Sequence, residues 1–492
     1  MLSTKFNYIW TEKGITLITF LVTLVFFTNI HPVTIISGDD WGNFSSSRSA
    51  YPEWQGFNPI KVIPETIMPY SGFIASSIIR PIFGTDFLFS ISIITAIIVS
   101  SLTAILFNEL FKFINKHLGI KKPTAFLSLI IVFLYIFSFL KSKPDSGSSY
   151  LLWEINITCY YHYIIPALIN TAFSFYLLRI NLSIENLKRK TPLYLAWIFT
   201  ATYACIFSNI FHSIIIASTC TSLIMIKTKR SKNINNFLNE NTFYFFVLFL
   251  WIISVFFEAN GNRASGFSEN NFLLQDSISR FFSILKNDSN KLYRNLLAAC
   301  WLIGIVTVIL SKKNNQAKTI LEIVLLLLFS GAMIFSFVML VCAKSSPSYT
   351  ERPAAMWGIY MYAFIATAIV LCWVSEKHKI IISVLPIIIF ILACKAAAPN
   401  TSLKESHNLN LTYDQAYKVT NSIINQVINA DQKGEKNITL LVPKGDDNDN
   451  WPFPVYMGSS IYYTLKSNRI ISNKITISIK PDINENIRLG IE

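Results

Sequence analysis

The stretch "SGDDWG" (37–42) sets two adjacent carboxylates, Asp39 and Asp40, and Trp41 directly after the first long apolar run of the chain. A carboxylate at a membrane boundary is costly and is retained for chemistry or for a partner. Such a group can act as general base toward a hydroxyl. Adjacent acids also perturb each other's titration, which can raise one of them toward a working range. Three more segments carry polar residues at corresponding places. Trp153, Glu154, Tyr160, Tyr161 and His162 open the fourth apolar run, "EANGNR" (Glu258 to Arg263, with Asn262) ends the seventh, and "SYTERP" (Ser348 to Pro353, with Tyr349, Glu351 and Arg352) begins the tenth. Arginine forks from Arg263 and Arg352 would hold a phosphate leaving group bidentately where the dielectric is low. The aromatic rings offer flat apolar faces to sugar rings. Taken singly, Trp153 or His162 reads as an ordinary interfacial residue. Acids and arginines from four distant segments at one depth read instead as a cleft at the membrane–water boundary. The chemistry that suits such a set is transfer of a sugar from a lipid phosphate to a hydroxyl.

Those residues must be positioned by membrane helices. The chain has 492 residues, of which 52% are hydrophobic and 14% charged, against about 25% charged in a soluble protein; its mean hydropathy is +0.45. Apolar runs at 15–36, 86–108, 123–140, 158–180, 192–208, 210–226, 242–258, 293–311, 319–343, 354–374 and 380–397 predict about eleven spans, each able to cross ~30 Å of hydrocarbon. The net charge of +14 comes from basic residues clustered in short loops, which is the positive-inside pattern and not a nucleic-acid surface. Lys112/Lys116/Lys121/Lys122, Lys188/Arg189/Lys190, Lys227/Lys229/Arg230/Lys232, Lys312/Lys313/Lys318 and Lys377/Lys379 then lie with the N-terminus on the cytoplasmic side. The stretch 192–226 is split at "FSNIFH", because both flanks are basic and an even number of crossings is required. "PYSGFIASSIIRPIF" (69–83) is too short and polar to span and reads as an interfacial helix on the outer leaflet, with Arg80 snorkelling toward headgroup phosphate. The seven cysteines lie in or beside spans without metal-ligand spacing and read as packing residues.

After Cys394 the composition changes. A helical pattern over "TYDQAYKVTNSIINQVINADQ", a β-type run from Ile438 to Val442, a polar loop "KGDDNDNWPFP" and a second strand in "NKITISIK" predict a small α/β domain. "DDNDN" lacks the glycine and terminal glutamate of an EF-hand loop and reads as a solvated turn. The expected organisation is an all-α polytopic membrane domain over 1–397, with external loops at 37–85, 141–157, 259–292 and 344–353, and an external C-terminal domain over 398–492. No phosphate-binding loop, dinucleotide fingerprint, zinc spacing or nucleophile elbow is visible, so no metal and no cofactor is expected.

"SGDDWG", "LWEINITCYYHYIIPAL", "NGNR" and "YTERPAAMWG", in that order, resemble the motifs of GT-C membrane glycosyltransferases, in particular the serotype-converting O-antigen glucosyltransferases of bacteria and their phages. The resemblance covers most of the transmembrane region and is weakest in the tail. It implies a bacterial inner-membrane enzyme with a periplasmic site and periplasmic tail, using a polyprenyl-phosphate-linked sugar, typically glucose. A separate synthase and flippase would supply that donor, and lipid-linked O-antigen of lipopolysaccharide would accept the sugar. By this analogy Asp39 is the base and Asp40 a positioning partner, or the reverse. Arg80, Arg263 and Arg352 would face the donor phosphate, and Trp41, Trp153, Glu154, Tyr160, His162, Asn262, Tyr349 and Glu351 the substrates. The displacement would be single, inverting and metal-independent. One departure is that Ala259 and Asn260 precede Gly261 where relatives often carry proline, so Arg263 transfers less firmly than Asp39. An O-antigen polymerase or ligase is the nearest alternative. A lipid-linked sugar transporter ranks lower, because the spans are nearly uncharged at their midpoints.

Overall fold

The computed structural model describes residues 2–45, 59–137, 150–154, 156–180, 182–230, 233–260, 272–287, 290–310, 315–377, 388, 391–393, 411, 413–445 and 448–491. Asn262, Arg263 and most of the run expected as the eleventh span lie outside these residues.

In hydrocarbon a segment must pair every backbone N–H and C=O internally, so the apolar runs fold as helices. Among the described residues six are long and apolar enough to cross a membrane: Glu12–Ile30, Phe87–His117, Ile210–Thr228, Ile234–Ala259, Asn315–Ser345 and Trp357–Lys377. Shorter apolar helices cover Lys122–Phe137, Pro192–Ile206 and Leu297–Leu310. A further helix runs from Ile157 through a π-helical turn, Tyr160–Ile164, to Arg179. The chain is therefore an α-helical membrane protein with a small mixed tail.

Two boundaries differ from the sequence expectation. The first span was expected to reach Ile36, but its helix ends in a π turn, Phe26–Ile30, and 31–36 have no regular structure. Pro32 lacks a donor and restricts His31; four β-branched residues, Val33 to Ile36, follow and favour extended backbone. The helix expected to start at Pro69 starts at Val62 and passes through a π turn, Ala75–Ile79, to Phe83. Tyr70, Phe73, Ile78 and Ile82 are exposed along one side of it, the stripe of an interfacial helix. Tyr161 pins the helix to the bundle by donating to Ser71 Oγ at 2.7 Å.

The run 192–226 does break where the basic flanks require it. Thr191 caps Tyr194 N, Pro192 opens the helix, and the chain turns at Phe207–Asn209 before Ile210 resumes. Asn170 of the neighbouring helix donates to Cys205 O (3.1 Å), one of the carbonyls that a helix end leaves open, and to Ser208 Oγ (3.2 Å). Pro192–Ile206 has 15 residues, roughly 22 Å at ~1.5 Å per residue, shorter than the ~30 Å of hydrocarbon.

Contacts sort the helix ends into two groups. At one end Lys116 pairs with Glu12 (3.2 Å), Arg179 with Glu109 (2.8 Å), Lys227 Nζ donates to Glu240 O (3.1 Å), and Lys121 N bonds Glu376. The other end gathers the 31–45 segment, the start of the Ile157 helix, the Phe207–Asn209 turn, the 347–356 segment and the tail.

The tail folds as helix Tyr413–Gln432, strand β1 Asn437–Pro443, helix Gly458–Ser467, strand β2 Thr476–Asp482 and helix Ile483–Leu489. The strands pair in parallel from Asn437 opposite Thr476 to Pro443 opposite Asp482. A parallel pair needs a crossover, which Gly458–Ser467 supplies. In the polar loop, buried Asn450 accepts from Gly445 N (2.7 Å) and donates to Pro443 O (3.1 Å) and Phe453 O (2.9 Å), so part of it is a structured turn. The tail's Phe453, Met457, Ile461 and Leu465 share one continuous core with Trp41, Phe44 and the bundle.

Candidate active site at one end of the bundle

Asp39 and Asp40 open the short helix Gly38–Ser45, with both acids in its first turn, where the helix dipole favours negative charge. Their environments differ. Asp40 is fully buried. Its Oδ2 accepts from Ile36 N (2.9 Å), Ser37 N (3.0 Å) and Ser37 Oγ (3.3 Å), and its Oδ1 from Thr158 N (2.9 Å) and Thr158 Oγ1 (2.7 Å). Thr158 N is one of the free N–H groups at the start of the Ile157 helix. Asn156 caps the next one, Cys159 N, at 3.0 Å. Asp40 thus ties the end of the first span to the start of the fourth. Burial pushes its carboxyl up to about 6, while the donors from Ile36, Thr158 and Ser37 pull it down. Asp39 is exposed and is left as the accessible carboxylate of the pair.

Glu154 sits just before the same helix. It is 6% exposed, and its Oε1 has no hydrogen-bond partner among the described residues. Burial raises its carboxyl to about 7, against the opposing pull of Arg352 and of a hydrogen bond with Cys159. Arg352 is exposed. Its guanidinium lies 5.0 Å from the centre of the Tyr349 ring, and that ring lies 5.5 Å from Phe211. His212 Nε2 meets Ala354 O at 2.9 Å and fixes the same segment to the bundle. Glu154, Arg352, Asp40 and Asp39 all interact electrostatically with Cys159. The four charged groups therefore lie within electrostatic reach of one thiol.

The other expected site residues divide. Trp153 and Tyr160 surround His31: Trp153 stacks on it at 6.4 Å, and the Tyr160 hydroxyl lies 3.4 Å from His31 Nδ1. His162 is buried, and its carbonyl accepts from Asn209 Nδ2 at 2.8 Å. Trp41 is wholly buried and presents no surface to a solute. Glu351 is engaged by Arg280 at 2.7 Å, which also holds Asp276 at 3.1 Å. Arg80 lies nine positions beyond Ser71 on the interfacial helix, between exposed Ile78 and Ile82. In the third motif Glu258 pairs at 3.6 Å with Lys61, a buried lysine at φ 61° whose N–H donates to Phe207 O.

Ser37, Asn156, Thr158, Cys159, His31 and Lys61 were not singled out from sequence. Ser and Thr are too common to signal a carboxylate cradle, whereas His31 before Pro32 at the edge of an apolar run was a visible cue. Among the described residues no three His, Cys, Asp or Glu side chains gather as a metal set.

The tail covers this end. Gly38 N donates to Pro452 O (3.1 Å), Thr464 Oγ1 to Trp41 O (2.8 Å) and Thr420 Oγ1 to Ile35 O (3.0 Å). Tyr417 donates to Asp86 at 2.6 Å, and Arg469 lies over Phe73. The tail thus caps the end of the bundle that carries Asp39. In comparison with known proteins, the chain matches no family model, no curated protein and no solved structure.

Proposed function

We propose that this protein is a membrane glycosyltransferase that moves a sugar, glucose in the simplest case, from a polyprenyl-phosphate donor to O-antigen on the periplasmic side of a bacterial inner membrane. The reading is supported chiefly by the accessible Asp39 beside an immobilised Asp40, with Glu154 and Arg352 within electrostatic reach of the same thiol, Cys159. In the proposed step the acceptor oxygen attacks the anomeric carbon, a new C–O bond forms, and the bond from that carbon to the donor phosphate oxygen breaks. The acceptor proton passes to the Asp39 carboxylate. The bonding pair leaves with the polyprenyl phosphate, whose charge Arg352 offsets in a region of low dielectric. One displacement inverts the anomeric centre. Asp40 acts through position, holding the Gly38–Ser45 helix against the fourth span.

Donor synthase and flippase are separate partners in this reading, since nothing in the chain resembles a nucleotide-sugar site. The test is transfer from polyprenyl-phosphate glucose by the purified protein to lipid-linked O-antigen, together with analysis of O-antigen from cells with and without it. Addition of one inverted sugar per repeat is expected. Growth of the polymer without side-branch addition would support the polymerase alternative, and no change in either assay would sink the proposal.

A further inference from the structure

The tail segment that lies on the Gly38–Ser45 helix brings a further side chain to Asp39. A Cβ at Gly38 would stand 2.5 Å from Pro454 Cγ and 3.7 Å from Trp451 Cζ3, and one at Gly42 would stand 4.0 Å from Ser460 Oγ. Gly38 N donates to Pro452 O at 3.1 Å, and Thr464 Oγ1 donates to Trp41 O at 2.8 Å. Contacts at Gly38 and Gly42 thus bracket Asp39, and those at Pro454 and Ser460 bracket Tyr456. Phe453, Pro454 and Met457 are buried, yet Tyr456 between them is 64% exposed. Partial desolvation, and then the charges of Asp449 and Asp39, hold its phenol above the usual value. The ring is therefore within electrostatic reach of Asp39. Residues 451–464 carry no charged side chain, and the two charges that act on Tyr456 are acids. An anion, the donor phosphate included, is disfavoured on this side of the site. A neutral sugar suits it. The C–H face of a pyranose is apolar and weakly positive and lies well against the negative face of an aromatic ring, while its hydroxyls donate to a carboxylate.

We propose that Tyr456 is the platform on which a neutral sugar residue of the acceptor polysaccharide stacks, so that one of its hydroxyls meets Asp39. The inference rests on the glycosyl-transfer reading above. It gives the acceptor side of that site to the tail and leaves the donor phosphate to Arg352. Tyr456 acts by binding the sugar face and takes no part in the proton transfer, so its effect belongs in KM for the acceptor.

Calorimetry on the full chain in detergent, with lipid-free O-antigen polysaccharide of neutral hexose repeats as the probe, tests the subsite without turnover. Wild type and Tyr456→Phe should bind alike. Tyr456→Ala should bind roughly tenfold more weakly, the scale of one lost ring contact, with an unchanged thermal midpoint. In transfer assays the same loss should fall on KM for the acceptor and not on KM for the donor, whereas Asp39→Asn lowers kcat. Polysaccharide binding that depends on Tyr456 without any sugar transfer would sink the catalytic reading and leave the subsite standing. Equal binding by wild type and Tyr456→Ala would overturn the subsite, as would no binding by the wild type or tighter binding of a uronate-bearing polysaccharide. A nitroxide attached through Tyr456→Cys in nanodiscs should be relaxed by a water-soluble nickel chelate. Stronger relaxation by dissolved oxygen would place the ring in lipid and overturn the proposal too.

Discussion

Asp39 and Asp40 are neighbours in sequence with opposite surroundings, and their amide variants should separate them. Asp39→Asn removes a base from an exposed position, so transfer should fall by ~10²–10⁴-fold with an unchanged thermal midpoint. Asp40→Asn puts an amide NH₂ against N–H and hydroxyl donors from Ile36, Ser37 and Thr158, which should cost roughly 1–3 kcal/mol of stability as well as activity. Equal behaviour of the two variants would contradict the assignment of roles. The pair itself was legible as two acids after an apolar run. Which acid is buried was not, because Thr158 lies 118 positions away. Glu154 carries a pH prediction. Its carboxyl is raised from 4.5 to about 7, so below pH 7 it is protonated and its attraction to Arg352 is lost. Activity should climb through a midpoint near pH 7, and Glu154→Gln should flatten that limb. Stability should run the other way: between the unfolded value and pH 7 the folded state binds more protons, so this group's contribution falls as pH rises through that window. A pH–rate profile and melting curves from pH 4.5 to 8 check both signs.

At the scale of elements, the site depends on the helix Gly38–Ser45 and what is packed on it. A Cβ at Gly38 would stand 2.5 Å from Pro454 Cγ, a rigid ring that cannot swing aside. Gly38→Ala should therefore force the tail away from the helix, at an overpacking cost of about 1–3 kcal/mol, and lower transfer even though Asp39 is intact. Protease sensitivity of the tail measures the displacement; a variant with wild-type resistance and activity would show that the Pro452–Pro454 contact does not position Asp39. The helices themselves were readable from runs of apolar residues and from Thr191–Pro192. The break at Ile30 was less so, because Val33 to Ile36 are as apolar as the span they follow and only Pro32 marks the change.

For the whole molecule, the sorted helix ends make a topological prediction. Asp40 and the tail meet at one end, while Lys116, Arg179, Lys227 and Lys121 gather at the other. With the basic loops cytoplasmic, a reporter active only in the periplasm should be active when fused after Glu492 and silent when fused at Lys229. A silent C-terminal fusion would place the tail opposite Asp39 and dissolve the cleft. The prediction rests on the hairpin that turns at Phe207–Asn209, since a single crossing over 192–230 would invert everything after it.

The sequence by itself determined the membrane class, most of the helices among the described residues and the strands of the tail, because hydropathy and charge along a chain report directly on which solvent each stretch must meet. Only the tertiary structure decided that Asp40 is cradled by Thr158, that Glu154 and Arg352 both come within electrostatic reach of Cys159, that Glu351 is engaged by Arg280, and that the tail packs on the 35–41 segment after the first span. Those outcomes depend on hydrogen bonds and burial between residues far apart in the chain, where a serine or threonine of no special pattern becomes a partner through its position in space.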